Sequence, residues 1–82
     1  MRNAMSAMIE IFYRKPVDAT HEQKIISIVT NHEGSVTYKE DDTQESICLT
    51  AEFDSWENAI AATATLRKIG EYVEGPADYG NS

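Results

Sequence analysis

Few side chains in this sequence have both the type and the spacing that chemistry needs. Cys48 is the only cysteine. A reactive thiol requires a neighbouring cation, a helix N-terminus or a general base. Arg14 and Lys39 are the only cations expected near it, and neither histidine is, so Cys48 reads as a small, semi-apolar strand residue. His21 and His32 sit eleven positions apart on one predicted helix, which is three turns, roughly 16 Å along the axis. They cannot share a metal ion, and the i, i+4 spacing of helical zinc ligands is missing. They read instead as helix-end residues flanking an apolar stripe, with His32 favoured by the helix dipole when charged. Glu40, Asp41, Asp42 and Glu45 gather enough charge to attract a hard cation, but the twelve-residue calcium-loop pattern is absent, so a solvated turn is expected. The glycines form no phosphate loop. The expectation is a protein with no catalytic residues, no metal site and no cofactor.

The elements that position these residues are marked clearly. Ile9, Ile11 and Tyr13 alternate with Glu10, Phe12 and Arg14, the period of a half-buried strand over Ala7 to Lys15, and Pro16 ends it. A helix follows from Asp18 or Thr20, with Thr20 and Gln23 as a capping box and Ile25, Ile28 and Val29 as its apolar stripe. Gly34 is expected to be its left-handed stop. Ser35 to Glu40 and Glu45 to Phe53 then read as a hairpin across the polar turn Asp41 to Gln44. Val36 and Tyr38 are expected on the buried side of the first strand, and Ile47, Leu49, Ala51 and Phe53 on that of the second. A second capping box, Asp54 with Glu57, opens a helix to about Ile69. Ala59, Ala62, Leu66 and Ile69 make its buried stripe, flanked by Thr63 and by Trp56, which beside Phe53 reads as a core corner. Gly70 stops it. A short strand, Glu71 to Glu74, closes the series before Gly75-Pro76 breaks it. Strand, helix, strand, strand, helix, strand is the order of an α+β, ferredoxin-like βαββαβ two-layer sandwich. Its antiparallel sheet is expected in the order 4-1-3-2, with both helices on one face. The two halves echo each other in pattern without sharing identity. The domain is expected over residues 7–75, after a flexible leader at 1–6 and before a C-terminal tail at 76–82 that frays or docks through Tyr79. Met1, Met5 and Met8 are alternative starts.

This parity commits one face of the sheet to the helices and leaves the other open. Met8, Glu10, Phe12 and Arg14 from the first strand and Cys48, Thr50 and Glu52 from the third are expected there, joined by Thr37 and Lys39 from the second. Apolar Met8 and Phe12 stand in a polar, charged field. Such a face serves as an interface between molecules, as a ligand platform, or as a solvated surface whose charges pair across strands.

Composition narrows the choice. A chain of 82 residues is one small domain whose core buries only about 60–65% of the unfolded surface, so pairing with another subunit would be useful. Seven basic residues face fourteen acidic ones, a net charge of −7. The first 34 residues balance at four of each sign, so the whole excess lies in residues 35–82, with three basic and ten acidic. Phosphate backbones need the opposite sign, so nucleic acid is not an expected partner, and neither is an anionic membrane. A basic protein partner is permitted. A single cysteine forms no internal disulfide, and Met1 to Met8 lacks the apolar segment of a signal peptide, so a reducing, cytoplasmic location is expected.

In element order, residues 7–75 resemble the ACT-type regulatory domains and other small ferredoxin-like modules. ACT domains generally carry a glycine-containing turn at their ligand site after the first strand. The corresponding turn here is Lys15-Pro16-Val17-Asp18-Ala19. The RNA-binding ferredoxin-like modules are similar in topology and stack bases on sheet-face aromatics, for which this sequence offers Phe12 in an acidic setting. The leading expectation is a small, acidic, non-enzymatic interaction module that self-associates through the open sheet face as a homodimer or larger oligomer. The alternative is an ACT-like module that binds a small ligand on that face or between subunits. A third reading, the dimeric ferredoxin-like enzymes such as small monooxygenases, needs a larger apolar pocket holding a His or Asn.

Overall fold

A computed structural model describes residues 6–78 of the chain. Apart from Ser6, the expected leader lies outside the described residues, as do Met1, Met5 and the tail from Tyr79 onward. The elements are β1 (Ala7–Arg14), α1 (Ala19–Asn31), β2 (Gly34–Asp41), β3 (Ser46–Phe53), α2 (Trp56–Lys68) and β4 (Tyr72–Asp78). One antiparallel sheet runs β2-β3-β1-β4, which is the expected order read from the opposite edge, and the helices cover one of its faces. The fold is a ferredoxin-like α+β sandwich.

Strand parity builds the core. Ala7, Ile9, Ile11 and Tyr13 of β1 and Ile47, Leu49, Ala51 and Phe53 of β3 are all buried against Ile25 and Val29 of α1 and Ala59, Ala62 and Leu66 of α2. Alanines at two of these positions leave room for α2 to lie close to the sheet, and Leu66 is buried with them. Burying an aliphatic side chain of this size contributes about 1.5–3 kcal/mol. Ile28, Val36 and Trp56 pack at the margin of the cluster. Ile69, expected in the stripe, is 44% exposed, because α2 ends at Lys68 and Ile69 has already turned out of helical geometry as its C-cap.

Of the two starts expected for α1 the structure takes Asp18, while the cap of α2 and the stop of α1 each differ from expectation by one residue. Asp18, in extended geometry, accepts hydrogen bonds from the Thr20 and His21 amides at 3.1 Å each, so Asp18 caps α1, not Thr20. Ser55, not Asp54, caps α2 by accepting from the Asn58 amide at 3.2 Å. Gly70, at φ 96°, stops α2 as expected. The left-handed residue after α1 is Glu33, at φ 65°, and Gly34 instead opens β2 opposite Phe53. A Cβ on Gly34 would lie 2.4 Å from the Phe53 ring. The residue is small because the ring lies across it.

Both edge strands carry a bulge. In β2 the register shifts between Val36 and Tyr38, and every side chain beyond that point changes face. Tyr38, expected in the core, is paired with Thr50 and is 59% exposed on the open face. Lys39, expected on the open face, pairs with Leu49 and so lies on the helix side. In β4 the register shifts opposite Met8 and Glu10. Gly75-Pro76 therefore does not end the strand. The two residues form the bulge, and pairing resumes to Asp78. Gly75 takes φ 111°, and a Cβ there would stand 2.9 Å from the Met8 carbonyl oxygen. Val73 enters the core and Tyr72 faces out. Bulges, with Pro76 on β4 and the charges of Lys39, Glu40 and Asp41 on β2, blunt both edges against strand addition, which leaves the open face as the main unguarded surface of the sheet.

Candidate functional site

The open face is a grid set by register. One row runs Ser35, Glu52, Met8 and Ala77; the next Tyr38, Thr50, Glu10 and Glu74; the third Glu40, Cys48, Phe12 and Tyr72. Arg14 stands beyond the third row, opposite Ser46. Of the residues expected here, Met8, Glu10, Phe12, Arg14, Cys48, Thr50 and Glu52 are in place. Thr37 is too, its hydroxyl donating to Glu52 Oε2 at 3.1 Å. Lys39 is not. Tyr38, Glu40, Tyr72 and Glu74 belong to the face and were not expected on it. Tyr72 and Glu74 were legible from the pairing of β4 with β1 once the inward residue was known. Tyr38 and Glu40 were hidden by the bulge.

Two properties define this surface. The first is aromatic: the Phe12 and Tyr72 rings pack at 5.6 Å between centroids, tilted by 50°, and Tyr72 is 60% exposed. The second is negative charge. Glu10, Glu40, Glu52 and Glu74 all lie here, with Arg14 at the corner the one cation on the face among the described residues. Glu10 and Glu74 are direct cross-strand partners, a like-charge pairing that costs stability. Among the described residues none of the four glutamates is in an ion pair; the pairs that form join Lys15 to Asp41, His21 to Glu71 and Lys39 to Glu22. The Tyr72 hydroxyl donates to Glu74 Oε2 at 2.9 Å, which pushes its own ionisation up.

Cys48 reports on this environment. It is only 3% exposed, its short side chain sunk between Phe12 and Glu40 in the third row. Burial, then the charges of Glu10 and Glu40, push its thiol up to about 11. A thiol so placed stays protonated near neutral pH and is a poor nucleophile, in keeping with a packing role.

A second polar cluster lies on the other face, at the seam between sheet and helices. The Tyr13 hydroxyl donates to Glu22, Lys39 Nζ pairs with the same carboxylate at 2.9 Å, and His21 Nε2 lies 2.6 Å from Glu71 Oε2. The His21 ring packs on Tyr13 at 4.9 Å. Burial opposes the charge on Glu22, but hydrogen bonds from Tyr13 and Lys39 outweigh it and hold the carboxyl below its usual value. Burial and the bond to Glu22 push Tyr13 up to about 12. Its members come from β1, α1, β2 and the residue before β4, so no local spacing announces them. Each carboxylate is engaged by a neighbour, and the cluster works as a clasp holding α1 and the start of β4 to the sheet.

The acidic hairpin turn is closed by its own bonds. The Ser46 hydroxyl donates to Asp42 Oδ2 at 3.0 Å and the Glu45 amide to Thr43 Oγ1 at 2.9 Å. Among the described residues no group of three or more His, Cys, Asp or Glu side chains is placed to hold a metal ion. Two open depressions, of about 270 and 620 Å³, meet at Arg14 and Glu45, the larger reaching Pro16 in the turn after β1. No helix among the described residues is long and apolar enough to cross a membrane. The chain matches no protein-family model and no curated protein. The open face offers aromatic area and negative charge.

Proposed function

We propose that this protein is a small, non-enzymatic interaction module that docks another protein on its open sheet face. The observation that carries the reading is the Phe12–Tyr72 pair: two packed aromatic rings on the sheet face opposite the helices, with Met8 on the same strand. Aromatic side chains of this kind anchor protein interfaces, supplying large apolar area with few torsions to immobilise. The glutamates around them, none in an ion pair among the described residues, are the polar part of the same surface.

Self-association through this face is the second reading. The apolar strip favours it, as does the small core, which gains from any further burial. Doubling a face with four glutamates and one arginine opposes it.

Amide chemical-shift mapping on the ¹⁵N-labelled full chain tests the proposal. Two additions are compared: short capped peptides that alternate apolar with basic or neutral side chains, and the protein itself over a dilution series. Shifts concentrated on Glu10, Phe12, Cys48, Thr50 and Tyr72 support docking, and their appearance on self-concentration selects the homodimer. Shifts confined to the helices, or none with any addition, would overturn it.

A further inference from the structure

We infer that the occupant of the open face is a basic, extended protein segment, with a Lys or Arg side chain lying over Phe12 and Tyr72 and within reach of Glu10 and Glu74. The inference rests on the docking reading above and names its partner class.

Charge complementarity selects the occupant. Glu10 and Glu74 oppose each other in the ladder, with Glu40 in the next row and Glu52 in the one before. A cation set among them relieves the cross-strand repulsion and gains attraction from several carboxylates at once. A second copy of this chain would bring four more glutamates to the same place. A nucleic acid would bring phosphates. A bare metal ion finds no ligand set here, since among the described residues no three His, Cys, Asp or Glu side chains are grouped to hold one. An organic cation fits, because Phe12 and Tyr72 set two aromatic rings beside these carboxylates. Guanidinium and ammonium groups are drawn to the faces of such rings, the former more often. The Tyr72 hydroxyl, bonded to Glu74, fixes that carboxylate beside the ring. Cys48, buried between Glu40 and Phe12 in the third row, forms the floor of the face.

Spacing selects an extended segment. Met8, Glu10 and Phe12 project from alternate positions of β1, about 6.7 Å apart. A segment lying along β1 in extended form presents its own alternate side chains at that interval, apolar over Met8 and cationic between Glu10 and Phe12.

The probe is a capped seven-residue peptide with Leu and Arg alternating on one side and Ser on the other. Its counterpart carries Glu for each Arg. Binding is read by amide shifts of the full chain, and the variants are the Glu10→Gln/Glu74→Gln pair and, separately, Tyr72→Ser. Gln at these positions removes like-charge repulsion, so folding is retained or improved. The Arg peptide is expected to move resonances of Glu10, Phe12, Cys48 and Tyr72. Its affinity should fall with added salt and weaken roughly 10-fold in the double Gln variant, with a smaller loss in Tyr72→Ser. Equal binding of the Glu peptide at the same residues, or an unchanged affinity in the double Gln variant, overturns the cationic occupant and leaves docking intact. Absence of shifts on the face with either peptide or with the protein itself overturns both.

Discussion

Replacing Gly34 with alanine tests the packing logic of this fold. In the structure a Cβ at that position would stand 2.4, 2.6 and 2.8 Å from Cε2, Cδ2 and Cζ of Phe53. Carbon atoms in contact settle at roughly 3.5–4.0 Å, so the ring would have to retreat by about 1 Å. Phe53 is 2% exposed and has little space to retreat into. Overpacking of this kind costs about 1–3 kcal/mol, from which the stiffer unfolded chain returns about 0.4–1 kcal/mol. The net expectation for Gly34→Ala is a loss of roughly 1–2 kcal/mol, from the balance of those two effects. At about 4–8 °C per kcal/mol for a domain of this size, Tm falls by roughly 4–16 °C. Circular dichroism during thermal and urea unfolding measures it. The cause is separated from backbone strain by Phe53→Leu. If the ring is the obstacle, the costs of Gly34→Ala and Phe53→Leu do not add, and the double variant shows a coupling of at least about 0.5 kcal/mol. Glu33→Gly supplies the complement: Glu33 is the residue held at φ 65°, a geometry costing about 1–2 kcal/mol outside glycine, so stability should rise. Additive costs in the double variant, or a harmless Gly34→Ala, would refute the assignment of Gly34 to ring packing.

Three further outcomes are expected. The Tyr13 phenol, pushed up to about 12, is protonated more firmly in the folded than in the unfolded chain. Its contribution to stability is therefore complete below pH 10 and lost as pH rises from 10 toward 12; absorbance at 295 nm should show this late tyrosine, and Tyr13→Phe should abolish it at a cost of about 1.5–3 kcal/mol for the bond to a charged acceptor. The Cys48 thiol, at about 11, should react with disulfide reagents far more slowly in the native state than in urea at pH 8, and Glu10→Gln should lower its ionisation midpoint; native reactivity equal to that in urea would contradict the burial of Cys48. Thr63 is buried and its hydroxyl has no hydrogen-bond partner among the described residues, so Thr63→Val should raise stability by about 1 kcal/mol in urea titration; a loss instead would point to a bonded hydroxyl.

Much of the candidate site was legible before the structure. The alternation of Met8, Glu10 and Phe12 with Ile9, Ile11 and Tyr13 is enough to assign both faces of β1, because side chains in a strand change side at every residue. The same holds for Cys48, Thr50 and Glu52 on β3. Alternation misassigns faces where the ladder slips. Nothing local in Val36-Thr37-Tyr38-Lys39 announces a bulge, and one extra residue exchanges the faces of Tyr38 and Lys39. Gly75-Pro76 looked like a strand end by composition, since proline donates no hydrogen bond, but the register shift there absorbs both residues and the ladder continues. The caps failed more mildly: Asp18 and Thr20 are both good cap residues, as are Asp54 and Ser55, and the entry angle of the chain chose between neighbours.

What this sequence determined alone was the order of its elements and most of its core, Tyr38 and Ile69 excepted. Those rest on short-range regularities: period two in β1 and β3, apolar stripes in α1 and α2, and the glycine after α2. They survive any rearrangement of neighbours, because each states which side of one element is apolar. The tertiary structure decided whatever required two distant segments to meet. It put the Phe53 ring over Gly34, it drew Tyr13, His21, Glu22, Lys39 and Glu71 into one clasp from four places in the chain, and it set Glu10 opposite Glu74 beside the Phe12–Tyr72 pair. Pairing register has no local signal when a bulge intervenes, and the character of the open face, aromatic and negative, is a property of register.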